Sequence, residues 1–221
     1  MKLLINALTK VIAGLLMVAL LLFLPAGTLN YPGGLLFLCL LFIPMLIMGT
    51  VMMLRARDLL AKRLDVKEKQ GTQKGVVAVT GLIFLAGFIL AGLDFRFGWS
   101  TVPLPVVIAA SALFLVGYAL YAEVMRENAY LSRTVKVEEG QTVISTGLYG
   151  IVRHPMYMAS TVMFLSLPLV LGSWYAFIPF ALYPVLMVIR IRGEEKLLTA
   201  ELSGYDEYQE KVKFRMIPFV W

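Results

Sequence analysis

The chain has 221 residues, of which 60% are hydrophobic and 15% are charged, and its formal net charge is +6. Water-soluble domains carry about 25% charged and about 45–50% apolar residues, so the mean hydropathy of +0.82 places this chain in a membrane. With one His and one Cys, an internal disulfide is excluded and we predict no metal centre. At this hydropathy the basic excess indicates membrane topology and contact with anionic lipids, and no nucleic-acid partner is expected.

Four blocks of the chain contain no Asp, Glu, Lys or Arg: 11–54, 75–93, 97–122 and 154–189. A spanning helix needs about 20 apolar residues, and Pro and Gly mark the turns that divide the first and last blocks. The last two helices form a hairpin that turns near Gly172, and both are short for full spans. We therefore predict a polytopic all-α membrane protein with about six transmembrane helices and a cytoplasmic C-terminal helical segment. The six helices are expected near 8–25, 34–54, 76–93, 105–125, 156–171 and 174–191.

The distribution of Lys and Arg predicts the orientation. With six spans, 19 of the 20 basic residues fall on one side of the membrane, and Arg96 falls on the other. Basic residues collect in cytoplasmic loops, so both termini and the basic loop at 55–75 are predicted to be cytoplasmic. The first apolar run resembles a signal peptide, but no clear cleavage site follows it, and we expect a retained helix. Residues 1–125 then form a unit of four spans, and 126–221 the region that carries the polar motifs.

Two polar segments lie at the predicted cytoplasmic edge of the final hairpin. The first ends at the helix that enters the membrane, and the second begins where the last helix leaves it. Because the two open ends of a tight hairpin are neighbours, we expect one pocket to be faced by His154, Tyr157, Arg190, Glu194 and Glu195.

This predicted pocket combines a backbone-rich turn, aromatic side chains, carboxylates and an arginine. The sequence contains no glycine-rich nucleotide motif that would indicate another cofactor. The set suits a zwitterionic cofactor with an aromatic base, since Tyr can stack on the base, carboxylates can hold an ammonium, and Arg or backbone N–H groups can hold a carboxylate. S-adenosylmethionine has these parts, and transfer of its methyl group requires in-line positioning in a water-poor site and no metal.

The sequence Arg-His-Pro-Met-Tyr at 153–157, Glu-Glu at 194–195 and Gly-Tyr-x-x-Tyr at 204–208 resembles the isoprenylcysteine carboxyl methyltransferase family, and related patterns occur in phospholipid N-methyltransferases. The resemblance covers the chain from Asn128 onward. It implies an integral membrane enzyme that binds S-adenosylmethionine at the cytoplasmic face. The acceptor would be lipid-like or prenylated and would enter between helices from the bilayer. The residues that the resemblance assigns to the cofactor are Gln141, Thr142, Val143, Ile144, Tyr149, His154, Pro155, Met156, Tyr157 and Glu194.

Two residues are predicted to act on the acceptor. Arg190 corresponds to a family arginine that meets the substrate carboxylate, so we predict it as catalytic and substrate-binding. A carboxylate nucleophile needs an arginine to orient it but no base. An amine acceptor would need a proton acceptor, for which Glu195, the second predicted catalytic residue, or His154 is available. Carboxyl and amine methylation both stay open on these grounds.

Two other classes of function compete with a methyltransferase. Sterol reductases look similar in the Arg-His-Pro region and bind a nicotinamide dinucleotide there. They typically carry Asn before the Tyr, where this chain has Met156, and they need more basic residues for the phosphates. A non-enzymatic scaffold or small transporter is the third class. The lack of an internal repeat and the few ionisable residues within the apolar blocks disfavour it.

Overall fold

The computed structural model describes residues 2–64, 71–132 and 137–221, and every regular element within these ranges is helical. The predicted all-α fold class is thereby confirmed. Residues 65–70, which belong to the predicted basic loop, lie outside the described residues. A 3₁₀ turn, Gly147–Gly150, lies between the fifth and sixth helices. The helices are α1 (Lys2–Ala26), α2 (Pro32–Arg55), α3 (Arg57–Leu64), α4 (Gly71–Phe97), α5 (Leu104–Glu127), α6 (Pro155–Val170), α7 (Trp174–Phe180), α8 (Tyr183–Glu201) and α9 (Tyr205–Lys211).

Five helical segments are long and apolar enough to cross a membrane: α1, α2, α4, α5 and the run Trp174–Glu201, which contains α7 and α8. With 16 residues, α6 is shorter. At 1.5 Å per residue it extends about 24 Å, less than the roughly 30 Å of a hydrocarbon core. Large apolar side chains face outward along these helices, such as Leu24 at 75% and Leu54 at 74% exposure. Lipid accommodates such a surface and water does not, so the chain is an integral membrane protein.

The structure differs from the predicted helices in two places. The predicted span 174–191 is divided into α7 and α8, because a proline in the first turn of α8 has no N–H with which to continue the preceding helix. Beyond residue 191, α8 continues as a charged extension to Glu201. Residues 57–64, predicted as loop, form α3, whose Leu59 and Leu60 are buried against Met52 and Met125.

Small residues allow the spanning helices to approach closely, as is common between helices in membranes. A Cβ atom on Gly92 of α4 would lie 2.5 Å from the Leu22 carbonyl oxygen of α1. A Cβ atom on Gly117 of α5 would lie 2.6 Å from the Met163 side chain of α6. These contacts hold α1 against α4 and α5 against α6.

The helix bundle has two chemically different ends. At the first, which we call the basic end, Lys62 Nζ donates to the Ala129 carbonyl at 3.3 Å and Gln73 Nε2 donates to the Arg190 carbonyl at 3.3 Å. At the opposite end, called the Arg96 end, the Tyr31 hydroxyl donates to the Leu171 carbonyl at 2.7 Å. The ends of the predicted final hairpin are thus at the basic end.

Candidate functional site

A cavity at the basic end is enclosed by the segment after α5, the 3₁₀ turn, the start of α6, the second half of α8, and α9. Eleven of the twelve predicted site residues line it, and Glu195 is the exception. The residues brought together as predicted are Gln141, Thr142, Val143, Ile144, Tyr149, His154, Pro155, Met156, Tyr157, Arg190 and Glu194. We call this space the polar cavity.

Tyr149 is fixed in the wall of the polar cavity from two sides. Asn128 Nδ2 donates to its hydroxyl at 2.8 Å, and the Tyr208 hydroxyl donates to its carbonyl at 2.7 Å. Burial raises the pKa of the Tyr149 hydroxyl, so this ring is neutral near pH 7. The 3₁₀ turn that carries Tyr149 requires glycine at its first position, Gly147, where φ is +51° and a Cβ atom would overlap the Glu127 carboxylate. A stacking surface is therefore held rigidly in place.

The C-terminal segment pins the start of α6. The backbone N–H of Arg153 donates to the Phe214 carbonyl at 2.9 Å, and that of His154 donates to the Arg215 carbonyl at 2.8 Å. The Arg153 side chain reaches the Val212 carbonyl at 2.7 Å. Pro155 then begins α6 at a position where a missing N–H costs little. The Arg-His-Pro sequence is thus an anchored entry into α6 that exposes its first turn to the polar cavity.

Glu195 lies behind this junction, where its carboxylate contacts two guanidinium groups and one imidazole. Its carboxylate accepts hydrogen bonds from Arg153 Nε and Arg215 Nε, each at 2.7 Å, and lies 3.3 Å from His154 Nε2. The side chain is 8% exposed and does not line the polar cavity. This placement favours a structural role for Glu195 over the predicted catalytic one, because a carboxylate committed to two guanidinium groups holds the junction together. The same contact occupies the His154 imidazole.

Tyr157 connects the two predicted motifs. Its hydroxyl accepts a hydrogen bond from Arg190 Nε at 2.9 Å and donates one to Glu194 Oε2 at 2.6 Å. The His154 ring stacks on Tyr157 with centroids 5.8 Å apart. Arg190 and Glu194 are four residues apart on α8, so they share one helix face. A cation, a phenol and a carboxylate therefore stand in a row along the cavity wall.

Tyr205 is a site residue that the sequence reasoning did not include. Its hydroxyl is buried, lines the polar cavity and has no hydrogen-bond partner among the described residues. Burial raises the pKa of Tyr205, and the Glu195 and Glu194 carboxylates raise it further, so the hydroxyl is neutral. An unpartnered buried hydroxyl fits a polar group of a ligand. The Gly-Tyr-x-x-Tyr motif was the sequence signal that could have indicated it. Other lining residues that were not predicted include Asn128, Ser132, Leu198, Leu202 and Tyr208.

A second, apolar cavity of about 770 Å³ lies between α1, α2, α3, α4, α5, α6 and α8 and is partly open to the outside of the bundle, where Met17 and Val77 are exposed. Most of its wall consists of Leu, Val, Met and Phe side chains, and we call it the apolar cavity. Met156, Tyr157 and Arg190 line both cavities. Its volume lies in the range of about 300–1,000 Å³ that is usual for small-molecule sites.

The fold and the two cavities define an all-α integral membrane protein with a polar, aromatic-rich site at one end of its bundle and an apolar cavity beside it. Residues 105–204 match the family model described as phospholipid methyltransferase. This part of the chain, from α5 to just beyond α8, is similar to that family, which includes isoprenylcysteine carboxyl methyltransferase-like membrane enzymes. The predicted resemblance is confirmed at this level, and the match supports a membrane methyltransferase.

The chain is also similar to two sterol reductases over part of its length. It is 27% identical over 135 residues to a Delta(14)-sterol reductase from Methylotuvimicrobium alcaliphilum, with 53% of this chain and 32% of that protein covered. It is 31% identical over 91 residues to a Delta(14)-sterol reductase from Mus musculus, with 40% of this chain and 22% of that protein covered. The chain thus spans a third or less of the length of these relatives.

Proposed function

We propose that the protein is an S-adenosylmethionine-dependent methyltransferase that methylates the carboxylate of a lipid-like or prenylated acceptor at the cytoplasmic membrane face. One observation carries the proposal: Met156, Tyr157 and Arg190 line both the polar and the apolar cavity. A polar cofactor in the first cavity and a lipidic acceptor in the second would meet at this shared wall. The family match of residues 105–204 supports the same class of reaction.

The polar cavity offers the donor set that this cofactor needs. The Glu194 carboxylate suits the cofactor's ammonium group, and Tyr149 and Tyr205 suit its base and ribose. When bound, S-adenosylmethionine supplies an electrophilic methyl group. The cavity measures about 100 Å³, below the usual range for such ligands. Binding of a ligand of that size therefore requires the wall of the polar cavity to move outward.

Arg190 is placed to orient the acceptor. Its side chain is 8% exposed and its Nε donates to the Tyr157 hydroxyl. An acceptor carboxylate beside this guanidinium would be oriented toward the cofactor's methyl group, and no proton would have to be removed from it. An amine acceptor would need a base, and the predicted candidate Glu195 is occupied by Arg153 and Arg215, which favours the carboxylate acceptor.

A nicotinamide-dependent reductase is the second candidate, and the partial similarity to the two sterol reductases favours it. Calorimetric titration of detergent-purified protein with S-adenosylhomocysteine, and separately with NADPH, distinguishes the two. We expect saturable binding of S-adenosylhomocysteine alone. Binding of NADPH alone would overturn the proposal.

Variants then test the assigned residues. Tyr205→Phe removes the unpartnered hydroxyl, and we expect a loss of S-adenosylhomocysteine affinity of about 2- to 12-fold, the value of one neutral hydrogen bond. Tyr175→Phe is the matched control, because Tyr175 is exposed and lies in the first turn of α7, far from the polar cavity. Equal affinities of the two variants would remove Tyr205 from the site.

The acceptor is tested by transfer of a labelled methyl group to an N-acylated S-prenylcysteine or to phosphatidylethanolamine. We expect transfer to the carboxylate compound. Arg190→Met should lower this turnover about 10- to 150-fold, the value of a charged hydrogen bond, while S-adenosylhomocysteine affinity changes little. Methylation of the amine alone would contradict the carboxyl assignment.

A further inference from the structure

A second arginine reaches the apolar cavity from a part of the chain outside the family match. Arg63 lies in the last turn of α3, at the basic end. The buried Leu59 and Leu60 precede Arg63 by four and three residues, so they share its helix face and dock that face of α3 onto the bundle. This docking turns the end of α3 toward α5 and α6, so Arg63 lines the apolar cavity.

Several contacts hold the Arg63 guanidinium in place. Its Nη1 donates to the Ser132 carbonyl at 3.2 Å and lies 3.7 Å from Met156 Sδ, and its Nη2 donates to the Tyr121 hydroxyl. The guanidinium also lies 5.4 Å from the centroid of the Tyr121 ring. The wall shared by the two cavities therefore carries a positive charge on the side of Met156.

Arg190 brings a second positive charge to the same cavity from α8. It contacts Tyr157, while Arg63 contacts the adjacent Met156, so the two guanidinium groups flank the first turn of α6. Both line one cavity whose remaining wall is mostly apolar. Low-dielectric walls strengthen the field of such charges. The apolar cavity is thus adapted to a ligand with an apolar chain and negative charge at one end.

We propose that Arg63 is a positioning residue for the acceptor, an inference that rests on the proposed function. It binds an anionic group of the acceptor other than the one that receives the methyl group at Arg190. The acceptor class is then an amphiphile with one apolar portion and a head that bears a second anionic group, such as a phosphate or a further carboxylate. Arg is suited to this task because its planar fork binds such groups at two points.

A structural role is better assigned to the preceding residue. Lys62 pairs with Glu138, donates to the Ala129 carbonyl at 3.3 Å and lies 5.7 Å from the Tyr130 ring centroid. These contacts tie α3 to the segment after α5. Arg63 is therefore the α3 residue whose charge borders the ligand space.

The test uses the full chain in phosphatidylcholine nanodiscs, with dodecyl phosphate as the anionic probe and dodecyl glucoside as the uncharged one. We expect wild type to bind dodecyl phosphate at least tenfold more tightly. Arg63→Met should lower that affinity about tenfold and leave dodecyl glucoside unchanged. Arg63→Lys should be intermediate, because it keeps the charge but loses the fork. Arg57→Met is the matched control, since Arg57 lies exposed on the same helix and outside the cavity wall.

Three outcomes overturn the proposal: no preference of wild type for the phosphate, equal affinity of wild type and Arg63→Met, or equal loss for both probes. The wild-type comparison and Arg63→Lys decide the matter if Arg63→Met does not fold. Titration with S-adenosylhomocysteine is run on the same samples. Its failure in wild type would refute the methyltransferase assignment, whereas a failure limited to dodecyl phosphate refutes the role of Arg63.

Discussion

Substitution of Glu195 by Gln separates a structural from a catalytic carboxylate. The pair with Arg153 is buried, with side-chain exposures of 6% and 8%, and breaking such a pair by neutralising one partner costs about 3–5 kcal/mol. The pair with Arg215, which is 37% exposed, adds about 0.2–1 kcal/mol at most. For a chain of this size each kcal/mol lowers Tm by about 2–4 °C. We therefore expect Glu195→Gln to lower Tm by about 6–24 °C.

The assay is thermal unfolding in detergent, together with S-adenosylhomocysteine affinity and turnover on the same preparation. A structural Glu195 predicts loss of Tm together with weaker cofactor binding, because the anchored entry into α6 loosens. A catalytic Glu195 predicts unchanged Tm and affinity with lost turnover, and that result would refute our reasoning. The double variant Arg153→Met with Glu195→Met removes both members of the buried pair, so neither charge is left buried without its partner. Its loss of Tm should be smaller than the sum of the single losses.

Three further predictions concern packing, the Arg96 end and topology. Gly92→Val forces a side chain against the Leu22 carbonyl. It should lower the free energy of unfolding by about 1–3 kcal/mol, which is measured as a lower Tm. Gly14→Val, whose Cβ atom meets nothing within 4 Å, should cost nothing, and equal losses would contradict the close approach of α1 and α4. Ser173→Ala removes the N-cap of α7 and a hydrogen bond to Asp94. This substitution should lower the free energy of unfolding by about 0.5–2 kcal/mol, and an unchanged Tm would show that the cap is dispensable. Reporters fused to either terminus should be cytoplasmic, and an external signal from one of them would break the six-span topology.

The sequence predicted the spanning helices well because hydropathy is a property of each segment alone. Burial in lipid requires about 20 apolar residues whatever the neighbouring helices do. The two differences between the predicted and the observed helices arise where hydropathy gives no information about the structure. Helix α3 carries four charged residues in eight, so its low hydropathy conceals the two leucines that dock it. The break between α7 and α8 depends on one proline, which leaves the hydropathy of the segment unchanged.

By itself, the sequence determined that the chain is an all-α membrane protein, that its polar residues collect at one end, and which residues around 141–157 and 190–194 gather there. Connectivity accounts for residues 154–157 and 190–194, because a tight hairpin brings its open ends together, whereas residues 141–149 were assigned from the family resemblance. Only the tertiary structure decided what adjacent side chains do. Glu194 and Glu195 are identical in type and neighbours in sequence, yet the helix directs Glu194 to the cavity and Glu195 to Arg153 and Arg215. Successive residues on a helix point about 100° apart. The partners on each side, supplied by distant segments, therefore determine which carboxylate can meet a ligand.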